Sequence, residues 1–300
     1  MTVARVAYNP LPWAWVATQQ RFDFSAMPPL PELLGQVKTA GFDAIQADIP
    51  DAMTAVIYRK QLESAGVAPA PGFFLAPFES EDELGATLES ARRMAADQAT
   101  LGLSEVVVCD ALSEVRAARP GEGAERDSAR LQRIAEHIAE AARVMVAEGV
   151  RPCLHPHVGT GVETADEAET VLDLVDPEHL LLCPDNGHLL WAGADPVQFV
   201  RRHAARVGAL HIKDVHLDRL AESRRQGQDF LAAVGAHVLT EPGRGDADLT
   251  GLLSALGEGF SGWIVIEIDV PDLPTPQESA AAAAAWVHEN VHRTGTERPA

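Results

Sequence analysis

Short β-rich runs alternate with longer amphipathic segments from one end of the chain to the other, and this alternation constrains the fold most. Strands are expected near 3–8 (VARVAY), 43–48 (DAIQAD), 67–74 (VAPAPGFF) and 105–110 (EVVVCD). Four more fall near 151–155 (RPCLH), 180–184 (LLLCP), 207–213 (VGALHIK) and 263–268 (WIVIEI). Helical patterns lie between and after them, near 30–40, 51–65, 80–101, 124–148, 164–175, 195–206, 222–234, 248–257 and 276–292. Thr164 before an acidic turn and Asp195-Pro196 read as helix starts, and Gly41, Gly66, Gly102 and Gly149 as helix ends. Strands that each lead into a helix pair in parallel through right-handed crossovers. Eight of them close most economically as a single α/β (β/α)8 TIM barrel. A doubly wound open sheet has fewer strands and an early glycine-rich phosphate loop, and neither is seen. No linker or composition break divides the chain, so residues 1–292 are expected to form the barrel and 293–300 a frayed tail.

In such a barrel the reactive residues sit at the C-terminal strand ends, and period-two alternation tells which side chains face inward. Cys153, His155 and His157 share a face on the fifth strand, Leu181, Cys183 and Asp185 on the sixth. Ala209, His211 and Lys213 do so on the seventh, and Val265, Glu267 and Asp269 on the eighth. Four neighbouring strands thus bring imidazoles and carboxylates to one mouth, a mixed N/O set suited to a divalent ion. Each residue alone reads as a satisfied polar group; four on consecutive strands do not. All the histidines lie from His137 onward. His179, His203, His237, His288 and His292 fall on helices or loops and carry no functional reading, while His216 stays open.

Charge and cysteines narrow the class. A formal net charge of −20 excludes a nucleic-acid backbone or an anionic membrane as partner. Cys109, Cys153 and Cys183 sit in apolar runs without CxxC spacing and read as buried thiols. With no signal-peptide h-region in MTVARVAYNP and no apolar run long enough to span a bilayer, a cytoplasmic location is expected. "GTGVET" (159–164) imitates a dinucleotide fingerprint, but Thr164 replaces the last glycine and the segment comes mid-chain.

The segments "DNGH" (185–188), "HIKDV" (211–215), "EPGRGDADL" (241–249) and "GWIVIEID" (262–269) resemble the sugar phosphate isomerase/epimerase family, which has the xylose isomerase-like TIM barrel. "LHPHVGTGVET" (154–164) and "PDNGHLLWAGADP" (184–196) look most like its inosose dehydratase branch. The resemblance covers nearly the whole chain. It implies that Asp185, His211 and Glu267 are divalent-metal ligands and that His188 contacts substrate. Many members carry a glutamate ligand on the fifth strand where this chain reads His155-Pro156-His157, so His155 is favoured as the fourth ligand, with His157 next. Mn²⁺ or Co²⁺ is the expected ion, with Mg²⁺ and Zn²⁺ as alternatives.

Such an ion stabilises the enediolate left when an α-proton departs. Epimerisation then needs acid–base groups on both faces, usually two carboxylates, whereas elimination needs one base and one acid. With histidine in place of the fifth-strand carboxylate, dehydration of a keto-polyol is the favoured reaction; a ketose epimerase or isomerase and a non-catalytic sugar-binding barrel are the alternatives. Glu267 or His157 is the candidate base, and Lys213 or His188 the candidate acid. Arg244, Trp13, Asn9, Trp191 and His188 are candidate substrate contacts. No cluster of Lys or Arg grips a phosphate, so a small unphosphorylated polyol or ketose is expected, with homo-oligomerisation left open.

Overall fold

The computed structural model describes residues 5–292; the expected tail 293–300 and the first residues of the expected first strand lie outside them. The first strand, Arg5–Tyr8, pairs in parallel with the eighth, Trp263–Ile266, and through Tyr8↔Ile45 with the second, Ala44–Gln46. The fourth (Glu105–Asp110), fifth (Arg151–Leu154) and sixth (Leu181–Leu182) continue the parallel order. Bridges Leu182↔Val207 and Asp185↔His211 join the sixth to the seventh, Ala209–Ile212, which pairs with the eighth and closes the barrel. A continuous apolar core fills the space between strands and helices, and the three cysteines are buried and free.

The third strand departs from the expected single run. Ala68–Ala70 pairs with the second strand and Phe73–Ala76 with the fourth. Pro71 has no N–H to donate, which interrupts the ladder. At Gly72 a Cβ would stand 2.4 Å from the Ala47 carbonyl oxygen, so only glycine fits. The buried Gln98, from helix Leu84–Thr100, accepts the Gly72 N–H at 2.9 Å and bridges the gap.

Helix boundaries follow local chemistry. Thr164 and Glu167 form a reciprocal capping box for Ala165–Leu174, and Asp195 caps Pro196–His203 as its sequence implies. The helix expected over 222–234 is two, Leu217–Gln226 and Phe230–Gly235, because Gly227 turns left-handed (φ 63°) and Asp229 caps a new start. The segment expected over 51–65 is helical only from Ala55, where Thr54 caps it. The last helix is α-helical over Pro276–Val287 and ends in a π turn, His288–His292. Two short helices were not expected, Glu114–Ala118 and Asn186–Trp191. No helix among the described residues is long and apolar enough to cross a membrane.

A second apolar cluster covers part of the mouth. Trp191, Phe230, Val234, Val158, Val215 and Val270 come from the loops after the fifth to eighth strands. Trp15 and Phe22, on the hairpin Trp15–Val16/Arg21–Phe22 that follows the first strand, pack on it. Such loop–loop packing is invisible to strand and helix periodicity.

Candidate metal centre

Asp185 explains the stretch in which it sits. The segment "DNGH" is a helix start rather than a simple turn. Asp185 Oδ1 accepts the backbone N–H of His188 at 3.0 Å and so caps Asn186–Trp191. Its other oxygen, Oδ2, is buried without a hydrogen-bond partner, with Lys213 Nζ 3.7 Å away. One oxygen orders the fold and the other is left for the site. Asn186 ties this turn to the seventh strand by exchanging hydrogen bonds with the Lys213 backbone, at 2.6 and 3.0 Å.

One ligand atom each from Asp185, His211 and Glu267 lie within 4.8 Å of one another, all three residues buried. His155, Asp185 and His188 satisfy the same distance. His211 Nδ1 lies against Glu267 Oε2, yet the contact lacks hydrogen-bond geometry and both atoms are unpartnered. Both ring nitrogens of His155 and of His188 are also buried and unpartnered. Buried polar groups without partners are costly and rare. So many of them, in adjoining sets that share Asp185, fit a ligand held at this mouth.

The electrostatics give that ligand its charge. Lys213, fully buried, donates to Glu267 Oε1 at 2.8 Å and also to Asp269 Oδ1. Ionised, Asp185, Glu267 and Asp269 against Lys213 carry two negative charges in excess within a buried site, which matches a divalent cation. Burial pushes Asp185 up to about 6 despite the opposing Lys213. Burial would also raise Glu267, but Lys213 and His211 outweigh it and hold the carboxyl well below its usual range. Burial raises Asp269, with Lys213 opposing. His155 and His188 are pushed well below the imidazole range by burial, so both stay neutral with a lone pair to offer.

The fifth-strand histidines differ. His155 belongs to the donor cluster. His157, half-buried, donates Nδ1–H to the Val158 carbonyl at 2.7 Å, which fixes the lone pair on Nε2. Its ring lies 3.7 Å from that of His188, and burial together with Lys213 pushes it down to about 4. His157 therefore stands beside the donor set as a neutral base.

Other expected site residues take different roles. Trp13 belongs to the core: its indole N–H donates to Gln36 at 2.6 Å and its ring meets Tyr8 edge-on. Trp191 is buried in the mouth cluster against Phe230, ring centroids 5.8 Å apart, so it forms part of the cover. Asn9 spends Oδ1 on the Leu11 N–H at 3.0 Å. Arg244 is half-exposed, 3.5 Å from Glu241, on a loop held by Asp214, which accepts the N–H groups of Gly243 and Ala247. Lys213, expected as an acid, keeps its proton: burial opposes the charge, but Asp269, Glu267 and Asp185 outweigh it and raise the ammonium. It serves as the internal counterion. The buried amide of Gln46, at the end of the second strand, has no hydrogen-bond partner for either end.

Comparison with known proteins agrees with this architecture. The model for the family described as the xylose isomerase-like TIM barrel matches residues 34–290. An inosose dehydratase of Geobacillus kaustophilus is 30% identical over 241 residues, 78% of each chain. The solved structure of an IOLI protein with a binding zinc atom superimposes at a TM-score of 0.69 and 19% identity, over 98% of this chain and 100% of the other. That of an L-ribulose 3-epimerase does so at 0.71 and 18%, over 99% and 100%. At such identities the two structures speak for the fold alone.

Proposed function

The chain belongs to the xylose isomerase-like TIM barrel family and is an enzyme of the dehydratase or sugar isomerase and epimerase kind; from that premise we propose that it is a divalent-metal-dependent lyase dehydrating a small, unphosphorylated keto-polyol of the inosose class. The observation that carries the proposal is the buried trio Asp185, His211 and Glu267, each with a ligand atom that has no hydrogen-bond partner, in an acidic site beside a neutral His157. Asp185, His211 and Glu267, with His155 as fourth ligand, would hold Mn²⁺ or Co²⁺, whose Lewis acidity polarises a carbonyl and its neighbouring hydroxyl.

The chain's own residues do the rest. His157 Nε2 takes the α-proton, Nδ1–H being anchored on Val158. Burial and Lys213 lower its proton affinity, so the imidazolium readily passes the proton to the departing β-hydroxyl, which leaves as water. Lys213 holds Glu267 and Asp269 in place, and His188 faces the substrate beside His157. Trp191 and Phe230 exclude water from that side. The 30% identity to an inosose dehydratase supports the substrate class, as does histidine in place of a second carboxylate on the fifth strand.

Chelated protein should be inactive and regain turnover with Mn²⁺ or Co²⁺. On a keto-inositol it should form an enolisable 1,2-dione with new ultraviolet absorbance, and substrate recovered from D₂O should carry little deuterium. Full activity in excess EDTA would sink the metal reading. Deuterium at an inverted carbon of a ketose, with no absorbance change on any keto-inositol, would replace the lyase with an epimerase.

A further inference from the structure

A third group of donors lies within the same barrel and adds to two of the ligands named above a thiol, Cys183, that the chemistry does not use. His155, Cys183 and His211 are all buried, and one ligand atom from each lies within 4.8 Å of the others. They sit at inward positions on three consecutive strands. The register Cys153↔Leu181 and Leu154↔Leu182 carries on to set Cys183 beside His155, and Asp185, one inward position further along, bridges to His211. Cys183 is thus one step deeper than Asp185. The thiol is not an isolated feature, because both nitrogens of His155 and both of His211 are buried without a hydrogen-bond partner.

We propose that the barrel has a second, thiolate-containing coordination mode, in which a thiophilic divalent ion such as Zn²⁺ or Cd²⁺ is bound by His155, Cys183 and His211, one step below the oxygen-rich set. An N₂S donor set selects soft and borderline ions, whereas carboxylate-rich sets suit Mn²⁺ and Mg²⁺. Binding replaces the S–H bond with a metal–sulfur bond and releases the thiol proton to solvent. Because His211 and His155 serve both sets, one chain holds one ion or the other. A thiophilic ion therefore excludes the hard ion by taking the two imidazoles that both sets need, and leaves Asp185 and Glu267 uncoordinated. This inference rests on the donor geometry and does not depend on which reaction the enzyme performs.

Cd²⁺ titrated into the full chain, first chelated and then loaded with Mn²⁺, tests it directly. One Cd²⁺ should bind per chain with a thiolate-to-cadmium charge-transfer band in the ultraviolet, releasing one Mn²⁺ into solution as read by its paramagnetic resonance. In Cys183→Ser the band and the thiol proton release should vanish. Loss of a direct ligand should cost at least what loss of an outer partner does, so Cd²⁺ affinity should fall roughly 10–100-fold, with Mn²⁺ binding retained. Cys153→Ser should keep the band. Cd²⁺ that displaces Mn²⁺ without a band, or that binds alongside it, overturns the second mode and leaves the lyase reading untouched. A band in a protein whose Mn²⁺ form dehydrates nothing does the reverse. The band and the Mn²⁺ release are read on the unmodified chain, so the test survives a variant that fails to fold.

Discussion

Replacing Arg116 by methionine should unlock the loop that carries the fifth-strand histidines. Arg116 is fully buried on the short helix Glu114–Ala118 and grips Glu167 through two bonds of 2.6 and 2.9 Å. It also donates to the Thr160 carbonyl at 3.2 Å and stands 3.7 Å from Glu163. Glu163 is itself buried and accepts the N–H groups of Gly121, Gly123 and Gly159. Without the guanidinium, two buried carboxylates lose their cation. Breaking such a group by removing one partner costs about 3–5 kcal/mol, and at about 2 °C per kcal/mol for a large domain the melting temperature should fall by about 6–10 °C. Adding Glu167→Gln to Arg116→Met should recover part of the loss, because one of the stranded charges is gone.

The same pair has a pH signature. Burial works to raise Glu167, but Arg116 and the backbone donors hold it below its ordinary 4.5. A carboxyl depressed on folding stabilises the protein above its unfolded value, and that stability is lost as pH falls through the folded one. The gap between wild type and Arg116→Met should therefore be full at pH 7 and narrow below about 4.5. Urea denaturation across that range measures it. A loss under about 1 kcal/mol at pH 7, the scale of an exposed pair, or a gap independent of pH, would refute the role given to Arg116.

Two further predictions concern the donor set. His211→Ala and Glu267→Gln should each abolish Mn²⁺ binding with the barrel still folded by circular dichroism, and His155→Ala should weaken it more than His157→Ala; the reverse order would make His157 the ligand. Gly187→Ala should lower Mn²⁺ affinity about tenfold, since its Cβ would stand 2.9 Å from Lys213 Cβ and 3.2 Å from Asp185 Oδ1 and force the capping turn away; unchanged affinity by calorimetry would show that the turn absorbs the methyl group.

The alternation of apolar runs was enough to set the eight-stranded barrel, because burial of a parallel strand and amphipathicity of its helix are local properties of sequence. Period two likewise put Asp185, His211 and Glu267 on inward faces, and these three do converge. The helix starts at Thr164 and Asp195 were legible because a cap needs only its own neighbours. Periodicity says which face a side chain takes and nothing about what it meets there. The break at Gly72 depends on Gln98, 26 residues away, and the pairing of Lys213 with Glu267 and Asp269 spans 54 and 56 residues. Trp13 and Trp191 are equal candidates for substrate contact by sequence, yet one packs in the core and the other in the cover over the mouth. Local spacing cannot tell a charge that meets substrate from one that neutralises its neighbours, nor an aromatic that lines a site from one that roofs it. Those roles are set by contacts between segments far apart in the chain, and such contacts exist only once the barrel has closed.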